Sequence, residues 1–130
     1  MKTINQEHYV DEAQSVIERL KVKRDRNGKP IGLVTTSKIR NLLAMTDDIY
    51  NDVVNLSDEK LSPDIAARIE YLRVRFVYES GRESTVKALV EEAKILDILK
   101  EIGTDRKNYI LFTRYMEALV AFHRYYGGKD

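Results

Sequence analysis

Apolar residues recur at three- and four-residue steps along nearly the whole chain, and little interrupts them. That spacing is the period of an α-helix with one buried face rather than the alternation of a half-buried strand. Only 6 Gly and 2 Pro punctuate 130 residues, too few for the turns of a many-stranded sheet. The chain is therefore expected to be all-α, a compact helical bundle of about five helices forming a single domain over residues 1–130. Its 43% hydrophobic content supplies enough apolar surface to offset chain entropy, which excludes a disordered tail.

The first helix carries Tyr9, Ala13, Val16, Ile17 and Leu20 on one face, with Thr3 and Gln6 in the spacing of a capping box. It ends in KRDRNGKPIG, whose Asn27, Gly28, Pro30 and Gly32 mark a mobile basic loop over about residues 24–34. A second helix is expected from Thr35 or Thr36 to about Asn55, with Ile39, Leu42, Leu43, Thr46, Ile49, Tyr50 and Val53 inward. Ser62 followed by Pro63 starts a third, which Gly81 is placed to end in left-handed geometry. Two apolar sides, Ile65/Ile69/Leu72/Phe76 and Ala67/Tyr71/Val74/Tyr78, predict that this third helix is central and exposes little. Ser84 is the expected cap of a fourth helix reaching Gly103, and Thr104 that of a fifth stopped by Gly127 and Gly128.

The chemistry of the residues narrows what such a bundle could do. With no Cys there is no disulfide, thiolate nucleophile or sulfur-bound zinc. The opening MKTINQEHYVDEAQ is polar, and no apolar run approaches the roughly 18 residues of a membrane span, so a cytoplasmic chain without membrane contact is expected. His8 and His123 lie far apart in the chain, and His123 falls at an inward phase where a hydrogen-bonded packing role is expected. Adjacent Asp47/Asp48 and Glu91/Glu92 diverge by about 100° on a helix and cannot readily share a substrate proton. Gly28 and Gly32 make no phosphate-cradling motif. No catalysis, metal or cofactor is expected.

Cations remain. The net charge is +1, so any nucleic-acid contact must come from local clusters. Lys38 and Arg40 stand in the first turn of the second helix, where unpaired N–H groups and the positive dipole end would prefer carboxylates. With the hydroxyls of Thr35, Thr36 and Ser37 they describe a phosphate seat; the plainer reading is ordinary caps and a solvated basic face. Arg68, Arg75 and Arg82 repeat at seven residues, roughly 10 Å apart along the axis, a spacing suited to successive phosphates of a polymer. Their alternative is i,i+4 pairing of Arg68 with Asp64 and Arg75 with Glu79. Most of the eight Tyr fall in packing stripes, which makes base stacking the weaker option.

Three strings carry a further signal: TTSKIRNLLAMTDDIYNDV, RIEYLRVRFVYESGRE and RYMEALVAFHRYYGGKD. Through them the chain resembles, over its full length, the small subunit of type III-A CRISPR interference complexes, the Csm effector assembly. The leading helix and the KRDRNGKPIG loop fall outside the matched strings. The resemblance implies an all-helical protein that is not itself a nuclease and whose copies stack beside a filament of backbone subunits, lining the groove that holds guide RNA and its paired target. Target cutting then belongs to the backbone subunit, and DNA cleavage and signalling-nucleotide synthesis to the large subunit. The partners implied are guide RNA, target RNA, the backbone and large subunits, and other copies of the chain. By motif position Lys38, Arg40, Arg68, Arg75 and Arg82 are the implied phosphate contacts, with Arg114 and Arg124 of second rank.

Physical logic is compatible with that role. A subunit that must accept every guide has to grip phosphate and sugar, because base-edge contacts would penalise some sequences. Several copies along one duplex can each bind weakly, which suits a near-neutral chain. The rival is a helical adaptor whose arginines pair only with protein carboxylates.

Overall fold

Each apolar stripe becomes helix in the computed structural model, which describes residues 1–128; the last two residues of the C-terminal string, Lys129 and Asp130, lie outside. The elements are α1 (Tyr9–Val22), α2 (Thr36–Val53), α3 (Pro63–Arg82), α4 (Ser84–Glu92), α5 (Ile95–Ile102) and α6 (Arg106–Tyr125). Among the described residues β-pairing is limited to two isolated bridges, Arg24 with Pro30 and Lys60 with Asp105. Among the described residues the fold is all-α, with six helices in place of about five. The expected fourth helix breaks at Lys94, whose left-handed backbone (φ 56°) separates α4 from α5. Turning there buries both Ala93 and Ile95, and the Ala93 carbonyl freed by the break accepts the Tyr115 hydroxyl of α6 at 3.0 Å.

The helix ends show where local signals gave way to tertiary ones. Thr35 caps α2 by accepting the Lys38 amide, and Ser62 caps α3 by accepting that of Ile65. The Thr3/Gln6 box does not form. Asn5 instead accepts the amides of Glu7 and His8, while Thr3 gives its amide and hydroxyl to Glu101 of α5. A carboxylate that also accepts the Lys2 amide outcompetes a local cap. Gly81 does not end α3: the helix runs through it to Arg82, and extended Glu83 (φ −142°, ψ 127°) serves as both C-cap of α3 and N-cap of α4, displacing Ser84. Asp105, not Thr104, caps α6 by accepting the Lys107 amide at 2.9 Å. Helix α2 stops at Val53, two residues short of Asn55, and the Arg106 guanidinium donates to the carbonyls of Val53 and Val54 at 3.1 Å each.

One apolar cluster runs through the molecule, with α6 packed on both α1 and α2, and α3 packed on α2, α4 and α5. Phe76 of α3 meets Phe112 of α6 edge to face at 6.4 Å. The Tyr109 hydroxyl donates to the Thr46 carbonyl at 2.7 Å and ties α6 to α2; burial pushes its ionisation above the ordinary phenol range. Ile65, Ile69, Leu72 and Phe76 are buried as expected. The second apolar side of α3 is not: Ala67 is exposed, Tyr71, Val74 and Tyr78 are 57–61% exposed, and Val77 beside them is 52% exposed. Neighbouring helices cover a single face of α3, so its wheel reads as central while its outer half meets solvent. The 24–34 segment folds back on itself, with Asp25 accepting the Asn27 and Lys29 amides and Ile31 donating to the Lys23 carbonyl.

Candidate nucleic-acid interface

Helical phase sorts the predicted cations before any contact is considered. Lys38 and Arg40 are two residues apart, about 200° around α2, and so face opposite ways. Lys38 turns toward α3; Arg40 turns toward α6. The single seat drawn from their adjacency is therefore not assembled. Two of its three hydroxyls are also engaged: Thr35 caps α2, and Thr36 donates to the Gly128 carbonyl at 3.3 Å.

What the fold assembles instead is a trough between α2 and α3. One bay, a cavity of about 470 Å³, is lined by Lys38, Asn41, Arg75, Glu79 and Arg82 over Leu42 and Val86. A second bay of about 390 Å³ is lined by Ile49, Ala67, Tyr71 and Leu72, with Arg68 and Asp48 also in its wall. Met45 and Arg75 belong to both, so the bays adjoin. The heptad on α3 and the i, i+3, i+7 run Lys38, Asn41, Met45 on α2 bring the walls together. Asn41, Met45 and Tyr71 are lining residues that the reading of charges alone misses; their spacing from Lys38 and Arg75 was the available signal.

Ion pairing distinguishes the cations further. Arg68 donates to Asp52 at 2.7 Å and lies 3.7 Å from Asp48, both on α2. Arg82 is 3.4 Å from Glu79 and stands over the Tyr78 ring at 5.6 Å. Lys38 pairs with Glu83. The anticipated Asp64–Arg68 and Arg75–Glu79 pairs do not form, because Asp52 and Arg82 offer those residues other partners. Among the described residues Arg75 makes no ion pair; it is exposed at the junction of the bays. These pairs are exposed enough for phosphate to displace them at small cost, since surface salt bridges contribute about 0–1 kcal/mol.

The opposite side of α2 holds a smaller basic group. Arg40 and Arg124 flank a cavity of about 370 Å³ with Thr36 and His123, and neither arginine makes an ion pair among the described residues. Arg114 stands apart, held by Glu117 at 3.1 Å and over the Tyr50 ring at 5.6 Å. His123 is buried and its Nε2 donates to the Val34 carbonyl, the packing role its phase predicts. Among the described residues no group of three or more His, Asp or Glu is placed to hold a metal ion. No described helix is long and apolar enough to cross a membrane.

The sequence that builds this all-helical fold matches a class of CRISPR-associated small subunits. The family model described as Csm2 Type III-A matches residues 14–129. The chain is 44% identical over 130 residues to the "CRISPR system Cms protein Csm2" of Streptococcus thermophilus, covering 100% of both chains. It is 39% identical over 128 residues to the protein of that name from Mycobacterium tuberculosis H37Rv, covering 98% of each, and 37% identical over 125 residues to that of Enterococcus italicus, covering 91% of this chain and 89% of the relative. The chain belongs to the Csm2 Type III-A family and is a small subunit of a type III-A CRISPR complex.

Proposed function

We propose that this chain is a non-catalytic cytoplasmic subunit that holds guide and target RNA by their sugar-phosphate backbones while contacting the backbone and large subunits and other copies of itself. The observation that carries the reading is Arg75, a guanidinium without an ion pair among the described residues, at the centre of a trough that also holds Lys38, Arg68 and Arg82. Phosphate oxygens are the anions that such a row accommodates in series, and backbone contact leaves guide sequence unconstrained. Arg40 and Arg124 form a second contact set across α2, and Arg114, tied to Glu117, the weakest candidate. Charge reversal of Lys38, Arg75 and Arg82 to Glu in the co-expressed complex tests it. The expected result is loss of RNA retention with the subunit still incorporated. For the isolated chain, three to five phosphate contacts on a single strand give a log–log salt slope of about −2 to −3.5, without sequence preference.

A second reading is favoured by the exposed Tyr71, Val74, Val77 and Tyr78 on α3: a protein-binding adaptor whose arginines meet partner carboxylates. Lost incorporation of the same triple variant, with RNA binding by the remaining complex unchanged, selects it.

A further inference from the structure

The trough is uneven in a way that phosphate contact alone does not explain. One bay is ringed by charge and amide; the other is floored by Met45, Ile49 and Leu72, and the Tyr71 ring, 61% exposed, stands at its edge. A volume of about 390 Å³ lies within the range of small-molecule sites. Single-stranded nucleic acid has the same alternation, an anion followed by a flat apolar ring, repeated at every nucleotide.

We infer that the apolar bay seats one unstacked nucleobase of a bound RNA strand, against the face of Tyr71, while Arg75 holds the adjoining phosphate. This rests on the phosphate-binding reading above and adds the base as the second half of the ligand. The occupant must carry negative charge beside its ring, because Arg75 and the cationic bay adjoin the apolar one. The seat is indifferent to base identity: the polar groups of its wall, Arg68 and Asp48, face each other at 3.7 Å, and Arg68 is further held by Asp52, so stacking rather than edge recognition does the binding. A base inside a continuous duplex cannot enter, so the bay selects single strands or an unpaired nucleotide.

The test uses the full chain at low salt, with a labelled oligouridylate and an abasic ribose-phosphate oligomer of the same length, read by fluorescence anisotropy. The abasic strand is expected to bind about fivefold to a hundredfold more weakly, the range of one stacked base. Tyr71→Ala should weaken the oligouridylate to a similar degree and leave the abasic strand unchanged, with Tyr71→Phe restoring the difference. Arg75→Glu should weaken both strands. Equal binding of the two strands, with Tyr71→Ala silent and Arg75→Glu still damaging, overturns the base seat and leaves the phosphate reading standing. An Arg75→Glu variant that binds both strands normally overturns both. A photo-crosslinker at Ala67, in the wall of the bay, that attaches to a protein subunit and not to RNA in the assembled complex gives the bay a protein occupant and also overturns the proposal.

Discussion

The Arg68 guanidinium donates to the Asp52 carboxylate at 2.7 Å across the α2–α3 boundary, so one cation of the heptad row is a clasp between two helices. Arg75, one heptad further along α3, has no such partner among the described residues. Arg75→Ala is expected to weaken RNA binding and to reduce the single-strand salt slope by about 0.7, with no measurable loss of stability. Arg68→Ala should lower stability by about 0.2–1 kcal/mol in urea denaturation and change RNA affinity less than Arg75→Ala. Equal effects of the two on binding would place both guanidinium groups on RNA.

Two glycines should respond in opposite directions. Gly81 lies in helical backbone with open space where a Cβ would project, and Gly81→Ala is expected to stabilise by about 0.4–1 kcal/mol through the unfolded chain. Gly128 packs against the His123 imidazole so closely that any Cβ collides with the ring, and its amide donates to the His123 carbonyl at 2.9 Å. Gly128→Ala should cost about 1–3 kcal/mol and shift the His123 ring resonances. Thermal melts with one-dimensional spectra separate the two.

The α4–α5 break depends on a lysine in left-handed backbone, a conformation costing roughly 1–2 kcal/mol for a residue with Cβ. Lys94→Gly removes that strain but adds unfolded-state entropy of about 0.5–1 kcal/mol, so a net gain of up to about 1.5 kcal/mol is expected. Lys94→Val should lose about 1–2 kcal/mol. Denaturant midpoints check both, and a stable Lys94→Val variant would mean that the break relaxes into continuous helix.

Acid should act on two carboxylates with opposite sign. The Arg19 hydrogen bond, aided by Lys23 and opposed by burial, holds Glu92 below its ordinary 4.5; its stabilising contribution is present above 4.5 and is lost as pH falls through the lowered folded value. Asp47 is raised above 3.8 by burial and by Glu117, so its charge opposes folding at neutral pH and the penalty fades as pH falls through the raised value. Glu92→Gln should therefore destabilise at pH 7 and matter little well below pH 4.5, whereas Asp47→Asn should stabilise at pH 7 and lose its advantage in acid. Stability measured from pH 7 to pH 3 resolves them.

Local pattern alone determined the helical class, the inward stripes of α1 and α2, and the caps at Thr35 and Ser62, because each follows from residue type and spacing within one turn or one face. Of the cations singled out by spacing, the fold brings Lys38, Arg75 and Arg82 to one bay and Arg40 and Arg124 to another. Only the tertiary structure decided that Lys38 and Arg40 serve different faces, that Arg68 closes on Asp52, and that Tyr71, Val74, Val77 and Tyr78 stay outside the core. A helical wheel gives the direction of each side chain about its own axis. Which directions meet a neighbour depends on how many helices pack around that axis, and α3 has neighbours on one side only.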